Sequence, residues 1–153
     1  MYEKILVPVD GSEPSLMGLQ EAIRLAKNQN SRLRLLHVVH DFLVASGRHG
    51  LARSDDLLKH LRESGQTILT EAAKIVRAQG IEPESESVET PLGPVGEMIV
   101  EYAAKWPADL IVIGTHGRRG IRRLVMGSDA EYVIRTTPVP VLLVRATKTT
   151  PQD

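Results

Sequence analysis

The stretch ADLIVIG, residues 108–114, decides the fold, because it is an almost unbroken apolar run that ends in glycine. Short runs of this kind are typical of strands that are buried on both faces of a parallel sheet. Three further runs share this character: KILVPVD (4–10), RLRLLHVV (32–39) and VPVLLVR (139–145). ESESVET (84–90) alternates only weakly and is typical of an exposed edge strand. The sequence therefore predicts five strands.

Helical periodicity occupies most of the sequence between these strands. Ser12 can cap the first helix, and Pro14 is tolerated in its first turn. The predicted apolar faces consist of Leu16, Leu19, Ile23 and Ala26, then Leu57, Leu61, Ile68, Ala72 and Ile75, and then Val95, Met98, Ile99 and Tyr102. The second of these helices is expected from Ser54 to near Gly80, and a fourth helix from Ser128 to about Thr136.

Strands that alternate with helices pair in parallel through right-handed crossovers, which place helices on both faces of the sheet. The sequence thus predicts one doubly wound, Rossmann-like α/β domain over residues 1–146. Residues 41–53 are expected to form an irregular connection, and residues 147–153 a frayed polar tail.

Composition limits the function. The 153 residues include 19 Lys+Arg and 19 Asp+Glu, so no net charge draws the chain to nucleic acid or to an anionic membrane. The absence of cysteine excludes disulfides and thiolate chemistry. No apolar run approaches the roughly 18 residues of a membrane span, and the N-terminus lacks a signal-peptide pattern. We expect a cytoplasmic protein.

The fold predicts where a ligand binds, since open α/β sheets take ligands at the carboxyl ends of strands where the strand order reverses. One such end continues into GTHGRRGIRRLVMGS, residues 114–128, with four glycines and four arginines. Backbone N–H groups of Gly114, Gly117 and Gly127, and the helix start at Ser128, suit phosphate oxygens. A side chain at these glycines is expected to weaken binding and to spare the fold.

Ligand-free interpretations of the same residues stay open. Ser128 and Glu131 fit a capping box, S-x-x-E, which needs no ligand. Arg118, Arg119 and the pair Arg122–Arg123 fit the solvated face of one helical turn as well as a triphosphate site. The stretch matches neither a Walker A loop nor G-x-G-x-x-G after the first strand.

The spacing G-x₂-G-x₉-G-S after DLIVIG, with ILVPVDGS (5–12) before it and PVPVLLV (138–144) after it, resembles the universal stress protein family. The resemblance covers nearly the whole chain, from Tyr2 to about Arg145. It implies a five-stranded parallel sheet of order 3-2-1-4-5 and commonly a homodimer. In this family the glycine pattern marks the members that bind ATP.

The resemblance also implies roles for individual residues. Pro8 and Asp10 would meet the nucleoside, Asp10 through a ribose hydroxyl, and Val38 would present its backbone and side chain to adenine. The residues that would surround the ribose and phosphates are Gly114, Thr115, His116, Gly117, Arg118, Arg119, Gly120, Gly127, Ser128, Asp129 and Ala130. Ligand-free alternatives stay open for both: Asp10 also fits a turn carboxylate, and Val38 also fits a core residue. Asp129 would repel phosphate, so its side chain should point away or help to hold a metal ion.

Two functions follow. The first is a regulatory module of the stress response that binds ATP, with Mg²⁺ or Mn²⁺, and acts on an unknown partner protein. The second is a slow ATP hydrolase or a nucleotidyl- or phosphoryl-transfer enzyme, although no catalytic residue is assigned because His116 shows no orienting partner. Repeated turnover in phosphate release would favour the enzyme. We also expect a homodimer through the strand Val139 to Arg145, with no nucleic acid or membrane partner.

Overall fold

The computed structural model describes residues 1–40, 55–90, 93–115 and 126–145. Along the chain the elements are β1 (Lys4–Pro8), α1 (Glu13–Gln29), β2 (Arg32–His40), α2 (Asp55–Arg77), β3 (Glu84–Thr90), α3 (Val95–Lys105), β4 (Leu110–Thr115), α4 (Ser128–Thr136) and β5 (Val141–Arg145). The predicted alternation of strands and helices is confirmed. The expected irregular connection (41–53) and polar tail (147–153) lie outside the described residues.

The five strands form one parallel sheet in the order β3-β2-β1-β4-β5, as predicted. From β1 the chain winds outward through β2 to β3, then returns to β4 on the other side of β1 and continues to β5. The strand order therefore reverses between β1 and β4. In doubly wound sheets this reversal opens a crevice at the carboxyl ends of the two strands.

Helices cover both faces of the sheet, as predicted. The core on one face packs α1 and α2 against Ile5, Val7, Leu35 and Val112, all fully buried. The core on the other face packs α3 and α4 against Leu6, Leu36, Ile111 and Ile113. Because successive side chains of a strand point to opposite faces, two cores require nearly continuous apolar strands.

The apolar faces of two helices differ from the prediction. Leu16 of α1 and Ile75 of α2 were expected to face the sheet, but they are 39% and 37% exposed. Many of the residues that do face the sheet are glycine or alanine. The buried residues are Gly18, Leu19, Ala22, Ile23 and Ala26 in α1, and Leu69, Ala72, Ala73 and Val76 in α2. Small side chains let a helix approach the sheet closely, so the largest residues do not define the buried face.

The start of α1 follows the prediction. The Ser12 hydroxyl accepts a hydrogen bond from the Ser15 amide (3.3 Å), and Pro14 lies in the first turn, where its missing N–H costs nothing. The last strand is shorter than predicted and begins at Val141, because Pro138 and Pro140 have no N–H to donate to a ladder. Among the described residues no helix combines the length and apolarity needed to cross a membrane.

Candidate functional site

A cavity of about 210 Å³ lies at the carboxyl end of the sheet, at the crevice between β1 and β4. Eight of the predicted site residues line it: Pro8, Asp10, Val38, Gly114, Gly127, Ser128, Asp129 and Ala130. These eight residues come from four separate parts of the chain: the ends of β1, β2 and β4 and the start of α4.

The other predicted residues do not line the described part of the cleft. Thr115 is buried, and its hydroxyl donates to the carbonyl of Val144 in β5 (3.4 Å), away from the lining residues. His116, Gly117, Arg118, Arg119 and Gly120 lie outside the described residues, as do Arg122 and Arg123. Their proposed contacts with phosphate remain predictions.

Asp10 organises the turn between β1 and α1. Its Oδ1 accepts a hydrogen bond from the Ser12 amide (2.9 Å), and its own amide donates to the Ser15 hydroxyl (3.1 Å). Gly11 completes the turn with a φ of 79°, a conformation that favours glycine. Asp10 Oδ2 has no hydrogen-bond partner among the described residues, so one carboxylate oxygen shapes the turn and the other is available to a ligand.

The start of α4 presents backbone donors to the cleft. Gly127 is the N-cap residue, and as a glycine it has no side chain to cap the helix. The Glu131 amide donates to the Gly127 carbonyl (3.0 Å). The amides of Ser128, Asp129 and Ala130 precede that first helical bond, and no acceptor is found for them in the described parts of the chain. Free amides at a helix N-terminus carry partial positive charge and suit an anion.

This geometry shows that the capping-box interpretation of Ser128 and Glu131 is wrong. A capping box needs the serine at the N-cap position, whereas Ser128 is the first residue inside the helix. The glycine before it takes the cap position with extended backbone angles (φ −62°, ψ 149°) and offers no side chain. No side chain of the described residues therefore caps the first turn of α4 at the cleft.

Apolar side chains form part of the cleft wall, and the charges of its described lining residues are negative. Val38 lines the cleft and also packs against the core under α3 and α4, so both interpretations of this residue hold. Asp10 and Asp129 are the charged side chains among the described lining residues. In the described part of the chain, no cluster of three or more His, Asp or Glu side chains could hold a metal ion.

Gly114 has a structural role that the sequence pattern did not reveal. A Cβ at this position would lie 1.8 Å from the carbonyl oxygen of Pro14, where no atom fits. The contact is between β4 and the first turn of α1, and it exists without any ligand. The expectation that a side chain at Gly114 spares the fold is therefore wrong.

Sequence reasoning also missed residues that line the cleft, among them Ser15 and His37. The Ser15 hydroxyl accepts a hydrogen bond from the Asp10 amide, and His37 lies inside the apolar run of β2. The signal available for His37 was its type alone, since histidine is unusual in a strand that is otherwise apolar.

The fold and the cleft define a doubly wound α/β protein with a cavity at the point where the strand order reverses. The sequence profile of the Universal stress protein family matches residues 1–145. A universal stress protein of Methanocaldococcus jannaschii is 36% identical over 148 residues, which cover 97% of this chain and 85% of that protein. The chain belongs to the universal stress protein family.

Solved structures agree with this assignment. The hypothetical protein MJ0577 superposes with a TM-score of 0.78 at 27% identity, over 97% of this chain and 99% of that one. A universal stress protein in complex with cAMP superposes with a TM-score of 0.68 at 26% identity, over 95% and 99%. The universal stress protein of Archaeoglobus fulgidus in complex with dAMP gives a TM-score of 0.64 at 25% identity, over 94% and 98%.

Proposed function

We propose that this protein binds an adenine nucleotide, ATP, in the cleft at the carboxyl ends of β1 and β4. One observation carries the proposal: the same cleft is lined by Asp10, whose Oδ2 has no partner among the described residues, and by the first amides of α4, which no described side chain caps. A nucleotide needs both an acceptor for its ribose hydroxyls and donors for its phosphates. The similarly folded proteins that hold cAMP and dAMP support the choice of adenine.

Each part of the nucleotide has a place in this proposal. The apolar wall at Val38 takes the base, and Pro8 with Asp10 Oδ2 takes the ribose. The amides of Ser128, Asp129 and Ala130 take phosphate oxygens, and Gly127 lets the phosphates approach the backbone without a Cβ in the way. His116, Gly117, Arg118, Arg119 and Gly120 extend the phosphate site in the same proposal.

A divalent cation belongs to the proposal because of charge. Asp10 and Asp129 both line the cleft, and a triphosphate beside two carboxylates needs neutralisation. Mg²⁺ or Mn²⁺ would be held mainly by phosphate oxygens and water, with one or two carboxylates as further ligands. ATP therefore enters as its metal complex.

The proposed biological role is that of a nucleotide-dependent regulatory module of the stress response in the cytoplasm. Residues 1–146 form the functional unit, and the unit is a homodimer that pairs β5 with its mate in an antiparallel arrangement. β5 lies at the edge of the sheet, and its residues Val141 to Val144 are half-buried and apolar. An apolar edge strand is a template for pairing with another chain.

Asp10→Asn tests the proposal directly. Asparagine keeps an oxygen for the Ser12 amide, but it replaces the free Oδ2 acceptor with an NH₂ donor. Loss of one hydrogen bond between a charged group and the ribose should weaken ATP binding by about tenfold or more in calorimetry. Asp56→Asn, an exposed residue of α2, is the matched control and should change nothing. Unaltered affinity in Asp10→Asn would contradict the assigned role of Asp10.

A further inference from the structure

His37 of β2 makes a specific polar contact beside the cleft. Its Nδ1 lies 2.8 Å from the carbonyl oxygen of Val9, the residue that precedes Asp10. A carbonyl oxygen can only accept, so Nδ1 carries the proton and donates. In the neutral ring this places the lone pair on Nε2. An unusual histidine in an apolar strand thus contacts the segment that bears the proposed ribose ligand.

Val9 transmits this contact to Asp10. The Val9 amide donates to the Leu36 carbonyl (2.8 Å), and the Val9 side chain is buried, so the residue is held by its amide, its carbonyl and its side chain. The carbonyl that His37 holds belongs to the peptide bond between Val9 and Asp10. Because a peptide unit is planar, its orientation fixes the direction in which Asp10 leaves the strand.

The imidazole is fixed from its other side by α2. A Cβ at Gly65 would lie 2.6 Å from Cδ2 and 3.0 Å from Nε2 of His37, so the helix backbone is packed against the ring. The same helix contacts the Asp10 turn, since a Cβ at Gly11 would lie 3.2 Å from Cγ1 of Ile68. The ring is therefore confined between α2 and the Val9 carbonyl, with little freedom to adopt another orientation.

We infer that His37 is a positioning residue for the nucleotide site: through the Val9 carbonyl it holds the Asp10 carboxylate where it meets the ribose. The inference rests on the proposed function and assigns to this residue a part in it. His37 acts on Val9 and Asp10, and its effect on the nucleotide is indirect. The free acceptor Oδ2 is useful only while the turn keeps its position.

Two substitutions that place a side-chain amide at different positions of the former ring test this role. The side-chain amide of asparagine reaches the place of Nδ1, so His37→Asn can still donate to Val9. Glutamine places its amide near the former Nε2, so His37→Gln leaves the Val9 carbonyl without its donor. We expect His37→Asn to keep the Kd for AMP and ATP within about twofold, and His37→Gln to raise both by about fivefold or more.

Thermal unfolding of the same variants separates positioning from packing. Both substitutions remove the ring from beneath α2, so a purely structural role would lower the melting temperature of both and leave their Kd values equal. Equal Kd values for the two variants, with binding by the unmutated protein intact, overturn the inference alone. His60→Asn and His60→Gln are the controls, because His60 lies on α2 with its side chain 79% exposed.

A second measurement needs no nucleotide. Nitrogen-15 NMR of the imidazole at alkaline pH reports which ring nitrogen of His37 holds the proton. The inference requires the Nδ1-protonated tautomer in the unmutated protein, and the Nε2-protonated tautomer would overturn it. If the unmutated protein binds no adenine nucleotide at all, the proposed function fails and this inference falls with it.

Discussion

Gly18 of α1 and Gly114 of β4 lie directly against each other. A Cβ at Gly18 would be 2.9 Å from the Gly114 amide nitrogen, and a Cβ at Gly114 would be 1.8 Å from the Pro14 carbonyl oxygen. The backbones of a helix and a strand therefore approach as closely as two glycines permit. This contact sets the position of α1, whose first turn forms one wall of the cleft.

We predict that Gly114→Ala destabilises the protein whether or not nucleotide is present. The added methyl group has no room, so α1 must move, at a cost of about 1–3 kcal/mol or more. Urea unfolding of the nucleotide-free protein measures this cost. Gly80→Ala is the control for glycine loss in a turn: a Cβ built there meets no atom of the described residues beyond its chain neighbours within 4 Å, so the expected cost comes from its φ of 80°. A Gly114→Ala protein as stable as the native one would contradict the packing argument.

We predict that Asp109→Ala lowers stability by about 1–3 kcal/mol, because it leaves backbone donors unpaired. Asp109 Oδ2 accepts from the Glu3 amide (2.8 Å), and Oδ1 accepts from the Lys4 amide (3.1 Å). Together these bonds fix the start of β1 to the start of β4. Chemical denaturation checks the loss, with exposed Asp56→Ala as the control. Unfolding midpoints that match in the two variants would refute the role of Asp109.

We predict that acid weakens the fold through Glu84. Hydrogen bonds from Arg34 are the main reason that the pKa of the Glu84 carboxyl lies below its ordinary value; burial opposes this effect, and the hydrogen bond from Arg32 lowers the pKa by a smaller amount. A carboxyl with a lowered folded-state pKa stabilises the protein above its unfolded pKa, and the stabilisation is lost as pH falls through the folded value.

The unfolding free energy of the native protein should therefore fall below about pH 4.5 more steeply than that of Glu84→Gln. Glu84 is 34% exposed, so solvent limits the difference to about 1 kcal/mol or less. Glu101→Gln, which removes an exposed carboxylate that lies 3.9 Å from Lys105, is the matched control variant. Identical acid limbs in native protein and Glu84→Gln would rule out the Glu84 contribution.

We predict that Leu143→Pro abolishes the proposed dimer and preserves the monomer. The Ile111 amide donates to the Pro140 carbonyl (2.9 Å), so alternate residues of β5, including Leu142, use their backbone groups in the ladder with β4. Leu143 then directs its amide to the free edge, where proline is tolerated. Sedimentation should give a dimer for the native chain and a monomer for Leu143→Pro.

Leu142→Pro is the matched comparison, because it removes an amide from the internal ladder and should destabilise the fold itself. A native chain that is monomeric at micromolar concentration would end the dimer proposal.

The sequence alone predicts much of this structure, because strands that are buried on both faces have nearly continuous apolar sequences. Ile5, Leu6 and Val7 are apolar without a break because each face carries a core. The sequence alone could not decide whether the start of α4 is capped, since Ser128 and Glu131 are the residue types that a capping box requires. Only the backbone decides that Gly127, one residue earlier, is the cap.

Contacts between distant segments could not be predicted. The sequence does not show that Gly18 of α1 lies against β4. It also does not show that Nδ1 of His37 lies at the Val9 carbonyl. The exposed position of Leu16 has the same origin, because the approach of β4 turns the small face of α1 toward the sheet. Periodicity describes one helix, whereas these facts depend on what packs against it.

Denaturing the purified protein and identifying what it releases by mass spectrometry shows whether the cleft holds an adenine nucleotide. We expect an adenine nucleotide in the released fraction, or, if the protein is purified empty, a rise in melting temperature when ATP and Mg²⁺ are added. Release of no nucleotide, together with a melting temperature that ATP and Mg²⁺ leave unchanged, would contradict this expectation.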